Sequence, residues 1–499
     1  MLKLKHIAAA ITLCVGASSA WAQKPAPRDE FYWLGQMNKA TTVINSEEGL
    51  LDPAKVPRIA AGIVKVLQDG ALPGGRRPST VITFEPLLIR AAGQDVTLLH
   101  AGRSSQDMHA TYRAAILKDD LLALAEQLNL SSATLVNLAE RHSKTIVPNY
   151  TNGVAAQPNS YGHYLLGHAA GLERDAQRLR EAYARIDRSA MGTTVLNGSS
   201  WPLNRLRMAN YLGFAALVDN AYDAAQISSS EHPVEVAALV TAMALHVGSF
   251  IEDVMTQYAQ PRPWILLQEG GGNTYVSSAM PQKRNPGLLN DTRRDASTSI
   301  ALAMGPVIRA HNITPGMADA KDTKTHTDMV KSAIVFLQGF DKIMKGLVIH
   351  PERALEELNS DWTASQELAD VLMHKYKIPF RAGHHFASEV VDYAKLNNIK
   401  PLDFPYSEAQ RIFKMSVKDE LANPELPMGE AEFKATLKPE TIVQNRKTVG
   451  GPQAIEMQRM LSLAQQTIQA QSRWISSKKN FIDKAMNDLD RDFSKLSPP

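Results

Sequence analysis

The chain has 499 residues, with 54 Lys and Arg against 51 Asp and Glu, a formal net charge of +3, and 44% hydrophobic residues. That near balance supplies no basic excess to draw in nucleic acid or anionic lipid, so a small molecule is the expected partner. A single cysteine, Cys14, excludes a disulfide framework.

At the start, Lys3, Lys5 and His6 precede an apolar stretch from Ile7 to about Val15, and Ala20-Trp21-Ala22 puts small residues where a signal peptidase reads. Residues 1–22 therefore read as a secretory signal that sends the chain to the periplasm. The apolar run is too short for a membrane span, which needs roughly 18 residues, so no membrane partner is expected. Leu13 stands before Cys14, where a lipoprotein signal has a small residue. Cleavage would leave about 477 residues, too many for one hydrophobic core, so several domains or an elongated bundle are expected.

Residues 23–102 read as an N-terminal helical domain in which only Thr80 to Phe84 and Thr97 to His100 look extended. Residues 103–360 read as a central domain of long helices, beginning with Asp107 to Leu128 and Leu130 to His142. From Ser160 to Ile186, Leu165, Leu172, Leu179 and Ile186 recur every seven positions, with charges on the outer faces. The next helix, 233–258, is different: Val236, Leu239, Val240, Met243, Val247, Phe250, Ile251 and Val254 make it apolar on most faces. It belongs at the centre of a large bundle, with part of its surface available to be shared between subunits. Thr292 to Met304 and Met329 to Leu347 follow with helical spacing. In the last domain, 361–499, Pro452 to about Leu489 forms a final long helix. The class is all-α.

Residues 276–287 read Val-Ser-Ser-Ala-Met-Pro-Gln-Lys-Arg-Asn-Pro-Gly and follow Gly270 to Gly272. Two serines, a lysine and an asparagine between helices form an anion-binding and proton-transfer constellation; an ordinary polar connection reads the same way by composition. The stretch resembles the signature loop of the fumarase, aspartase and argininosuccinate lyase superfamily, Gly-Ser-Ser-x-Met-Pro-x-Lys-x-Asn-Pro, at ten of eleven positions. Val276 replaces the glycine. By that resemblance Ser277 is the catalytic base, Lys283 the cation facing the substrate carboxylate, and Asn285 its helper.

Two further blocks resemble argininosuccinate lyase in particular. His100-Ala101-Gly102-Arg103-Ser104-Ser105-Gln106-Asp107 is similar to His-Thr-Gly-Arg-Ser-Arg-Asn-Asp, and Pro148 to Pro158 is similar to Pro-Gly-Tyr-Thr-His-Leu-Gln-x-Ala-Gln-Pro. The resemblance implies that Ser104, Gln106, Thr151, Asn152 and Gln157 line the substrate. It implies three domains, a central five-helix bundle that packs into a twenty-helix core in a homotetramer, and active sites shared between subunits.

Three departures bear on the substrate. Asn152 stands where the family has histidine, Asn290 where it has the glutamate that pairs with that histidine, and Gln226-Ile227-Ser228-Ser229 replaces Ser-Asp-Arg-Asp. An amide cannot donate a proton as a general acid. The expected reaction is therefore fumarate release from an N-substituted aspartate whose nitrogen leaves as an alkyl amine, in preference to argininosuccinate. The alternative is a non-catalytic periplasmic tetramer that binds dicarboxylates or amino acids. His163 and His168 read as helix-face residues, no spacing suits a metal, and no glycine-rich phosphate loop is present. No cofactor is expected.

Overall fold

In this computed structural model, residues 27–496 are described. The expected signal segment, with Cys14, lies outside them.

The N-terminal part contains helices α1 (Glu30–Glu47), α2 (Val56–Ala71) and α3 (Val81–Ala92). Asp29 caps α1 through the Tyr32 amide and is held by two nitrogens of Arg77, at 2.9 and 2.6 Å. Thr80 to Phe84 is not extended. The β-branched run Val81-Ile82-Thr83 suggested a strand, but Thr80 caps the helix and Val81, Phe84 and Leu88 bury one helical face. The burial gained by that face overrides local propensity. Thr97 to His100 is likewise helical, within a 3-10 segment Gln94–His100.

Helix α4 (Ser105–Arg141) is one 37-residue helix where the sequence suggested two. It runs through Ser131 and Ser132 because both hydroxyls are satisfied, Ser131 donating to Leu337 O (3.2 Å) and Ser132 to Leu128 O (2.8 Å). At 1.5 Å per residue it is about 55 Å long. Strands β1 (Ile146–Thr151) and β2 (Val154–Ser160) then form an antiparallel hairpin, followed by α5 (Tyr161–Ile186). Strand β3 (Arg188–Ser189), α6 (Arg205–Tyr211) and β4 (Ala216–Leu217) lead to α7 (Ser228–Tyr258), entered through a π-turn at Asp223–Ile227. Strands β5 (Ile265–Leu267), β6 (Tyr275–Val276) and β7 (Arg284–Asn285) precede α8 (Gly287–Ala310), α9 (Thr323–Gly346) and β8 (Leu347–Ile349).

Helices α4, α5, α7, α8 and α9 pack against one another as a bundle. Phe250 and Phe340 meet at its centre with ring centroids 5.2 Å apart. The class is all-α, and among the described residues strands are confined to four two-stranded pieces. Helices α10 (Pro351–Ser360), α11 (Ser365–Tyr376), α12 (Phe380–Leu396), α13 (Tyr406–Val417), α14 (Glu430–Thr436) and α15 (Pro439–Asn445) follow. A separate core of Trp362, Phe386, Phe404, Phe413 and Phe433 joins most of them. The last helix, α16 (Ala454–Ser494), returns along α4, α5 and α1.

The bundle leaves an apolar face uncovered. Leu245 on α7 is 62% exposed and Ile308 on α8 is 67% exposed, with Met304, Val307 and Val335 also exposed.

One buried ion pair ties the long helices together. Lys118 of α4, 1% exposed, donates to Asp187 (2.5 Å) and to Gly213 O (2.6 Å), and Asp187 also takes Lys478 of α16 at 3.1 Å. Asp187→Ala strands a buried ammonium and should lower unfolding stability by about 3–5 kcal/mol. Urea unfolding checks this, and a loss below about 1 kcal/mol would show that Lys118 reaches water.

Candidate functional site

The signature segment is a short hairpin. Strands β6 and β7 pair Tyr275 with Asn285 and Val276 with Arg284, and the Ser277 amide donates to Lys283 O at 3.2 Å. Val276 therefore occupies a strand position, without the positive φ that glycine favours, and a β-branched residue fits there. The glycines before it do need their freedom: Gly270, Gly271 and Gly272 have φ of 79°, 61° and 85°.

Within the hairpin, the Ser277 hydroxyl accepts from the amides of Ala279 (3.4 Å) and Met280 (3.3 Å). Two backbone N–H groups thus point at one side-chain oxygen. The Lys283 side chain is exposed and has no ion-pair partner among the described residues. Asn285 donates to Tyr275 O at 3.5 Å, and Arg284 is engaged by Glu269 at 3.0 Å. The free cation of this segment is Lys283, and it lies six residues from Ser277 at the other end of the turn.

The first block is organised by a capping box. Ser104 is the N-cap of α4, its hydroxyl accepting from the Gln106 amide (3.3 Å), while Asp107 accepts from the Ser104 amide (2.8 Å). Asp107 is fully buried and also takes the amides of Met108, Gly192 and Thr194, at 3.0, 2.8 and 3.2 Å. Burial pushes its carboxyl up to about 6 against those donors and Arg103. Arg103 reaches Thr41 (3.0 Å) and Asn38 (3.1 Å) of α1. Sequence reasoning passed over Asp107 and Arg103, although the Ser-x-x-Asp spacing is a capping signal.

The second block is the β1–β2 hairpin. Thr151 pairs with Val154 across a two-residue turn in which Asn152 has φ 53° and Gly153 φ 76°. Positive φ at both central positions makes Asn-Gly the favoured pair, a signal present in the sequence that the family comparison obscured. Thr151 and Asn152 are exposed at the tip, and Gln157 donates to Gln366 of α11 at 2.7 Å. Asn290 lies in the first turn of α8, half-buried. Gln226 is occupied in holding the backbone, since its amide oxygen accepts from the Gly316 amide (2.8 Å) and its nitrogen donates to Val195 O (3.1 Å).

These blocks do not meet within one chain. Ser104 and the hairpin lie at opposite ends of α4, about 55 Å apart along the helix. The ten residues from the end of α4 to Thr151 span at most about 35 Å, so Thr151 stays about 20 Å or more from Ser104. The signature segment shares the hairpin's end of the bundle, where the Trp264 indole donates to the Tyr150 hydroxyl at 3.2 Å. Among the described residues no hydrogen bond joins Ser277, Lys283 or Asn285 to Thr151, Asn152 or Ser104.

A Lyase family model matches residues 76–298, and an Argininosuccinate lyase C-terminal model matches residues 362–444. The argininosuccinate lyase of Methanosarcina acetivorans is 28% identical over 458 residues, 90% of each chain. That of Staphylococcus saprophyticus is 29% identical over 386 residues, 77% of this chain and 80% of its own length. Among solved structures, EDDS lyase in complex with formate superposes with a TM-score of 0.84 at 23% identity, covering 94% of this chain and 92% of its own. A fumarate lyase from Mesorhizobium reaches 0.64 at 15% identity, covering 87% and 95%.

The turn geometry yields a test. Asn152→Val places a β-branched residue at positive φ and should cost about 1–2 kcal/mol, whereas Asn152→Gly should be neutral within a few tenths. Thermal unfolding of both variants checks the order, and equal stability of the two would contradict the turn described.

Proposed function

Because the chain belongs to the fumarase and aspartase superfamily, as an argininosuccinate lyase-like carbon–nitrogen lyase, we propose that it splits an N-substituted aspartate into fumarate and an alkyl amine or aminocarboxylic acid. The observation that carries the reading is the intact hairpin of Ser277, Lys283 and Asn285, with two amides aimed at the Ser277 oxygen.

In the anti elimination, the Ser277 oxygen takes a proton from the carbon next to a carboxylate. The electron pair moves into that carboxylate, which becomes dianionic, then returns to form the double bond as the carbon–nitrogen bond breaks on the opposite face. A serine hydroxyl is a weak base in water. Closure of the hairpin over substrate would exclude water and let the Ala279 and Met280 amides stabilise the alkoxide. Lys283 and Asn285 would take the charge on the carboxylate, and Ser104, Gln106, Thr151 and Gln157 would hold the two succinyl carboxylates.

Asn152 and Asn290 favour an amine leaving group. An alkyl amine carries its proton near neutral pH and departs without a positioned acid, whereas a guanidine benefits from one. The same two amides favour a second reading, a non-catalytic dicarboxylate binder, which assays on Ser277 separate from the first.

The reading includes a homotetramer with shared sites. Two observations support it: the length of α4 holds the blocks apart, and the α7–α8 face exposes Leu245 and Ile308 to be covered by another copy. It also includes export to the periplasm, on the strength of residues 1–22.

Three outcomes are expected. Ser277→Ala should lower fumarate release at least a hundredfold while dicarboxylate binding persists; activity above a few per cent of wild type would remove Ser277 as the base. Sedimentation should show a tetramer, and a stable monodisperse monomer would refute the shared site. Asn152→His with Asn290→Glu should raise activity toward argininosuccinate more than the two single changes combined, followed by fumarate absorbance. A wild type already efficient on argininosuccinate would sink the substrate assignment.

A further inference from the structure

A small pocket lies between the foot of the β1–β2 hairpin and the last turn of α7. Its volume is about 90 Å³, and its walls include Tyr150, Tyr161, Tyr164 and Trp264, with Asp253 and Gln257 of α7 one turn apart on the same helix face. None of the proposed catalytic or substrate-holding residues lines it.

Gln257 is the anomaly. It is 2% exposed; its amide nitrogen faces the Tyr150 hydroxyl, while its amide oxygen and the equally buried Tyr161 hydroxyl have no hydrogen-bond partner among the described residues. The Tyr150 hydroxyl on the same wall is already committed to Glu357 and Trp264. An unsatisfied buried polar group costs about 1–3 kcal/mol, so two side chains left open on one cavity mark a place where something polar is received.

The chemistry of the walls selects the charge of the guest. Asp253, whose carboxylate accepts the Tyr164 hydroxyl at 2.7 Å, stands among the lining residues, and no Lys, Arg or His is there to hold an anion. Tyr161 and Tyr164 stack at 5.6 Å, and Trp264 meets Tyr161 edge-on at 5.5 Å, so the rest of the wall is aromatic and brings no competing positive charge. Gln257 sits in the last turn of α7, the negative end of the helix dipole. The volume equals about three waters, room for a cation of only a few heavy atoms.

We infer that this pocket is a binding site for a small primary ammonium ion, of the size of ammonium or methylammonium, held by the Gln257 amide oxygen, the Tyr161 hydroxyl and the Asp253 carboxylate. The site stands independently of the reaction proposed above. It bears on that reaction all the same, because Tyr150 directly precedes Thr151 on β1: an occupied pocket steadies the strand whose tip carries Thr151 and Asn152.

The test is titration of the full mature protein with methylammonium chloride, read by thermal unfolding and calorimetry. Sodium chloride at equal ionic strength and tetramethylammonium, too large for the pocket, serve as controls. The expected result is a saturable rise in Tm with methylammonium alone, lost in Gln257→Leu and shifted to about tenfold weaker affinity in Asp253→Asn. Asp253 is an exposed side chain whose change leaves the core intact, so that variant decides the matter even if Gln257→Leu fails to fold. No saturable rise would mean that ordered water alone fills the pocket. A rise retained unchanged in Asp253→Asn would place the ammonium elsewhere, and either result overturns the inference.

Discussion

The structure depends on the stiffness of one helix. Helix α4 runs unbroken for 37 residues, kept continuous by the satisfied hydroxyls of Ser131 and Ser132. It puts the Ser104 cap and the Thr151–Asn152 tip at opposite ends of the bundle. Side chains that must touch one small substrate cannot bridge tens of ångströms, so a rigid rod between them makes a second chain a geometric requirement of the proposed chemistry. The apolar surface at Leu245, Met304 and Ile308 is where that requirement and the hydrophobic effect agree, since covering it removes water from the same bundle that holds the blocks apart.

Within each block the backbone is fixed before any substrate arrives. Asp107 gathers four amides at the start of α4, the Asn152-Gly153 turn sets the hairpin tip, and the Ser277–Lys283 bond closes the signature turn. Such preorganisation would serve the proposed reaction, in which Ser277 is the base: donors already aimed at the oxygen need no rearrangement as charge develops. The groups left exposed are those that would act, Lys283 and the hairpin tip, which fits a site completed by assembly and closure.

Much of the scaffold was legible in the sequence because burial leaves a period. Leu165, Leu172, Leu179 and Ile186 mark α5, and the nearly charge-free run from Val234 to Val254 marks α7. Local propensity misled where tertiary burial overruled it, at Val81-Ile82-Thr83, and at Ser131-Ser132, whose hydroxyls find partners inside the bundle. The Asn152-Gly153 turn was readable as chemistry of the backbone and was read instead as a lost histidine. Asparagine suits the positive φ there whatever its part in the proposed chemistry. The Gln257 pocket was not legible at all, since its residues come from β1, α5, α7 and β5, and only folding brings them to one cavity.

The most direct measurement of the shared site mixes two inactive variants. Ser277→Ala and Ser104→Ala tetramers, each lacking fumarate release, are dissociated together and reassembled. If the blocks of one site come from different chains, some sites in the hybrids carry both an intact Ser277 and an intact Ser104, and the mixture regains activity that neither parent has. A mixture as inactive as its parents, with subunit exchange shown by mass, would mean that one chain supplies both residues and would contradict the account.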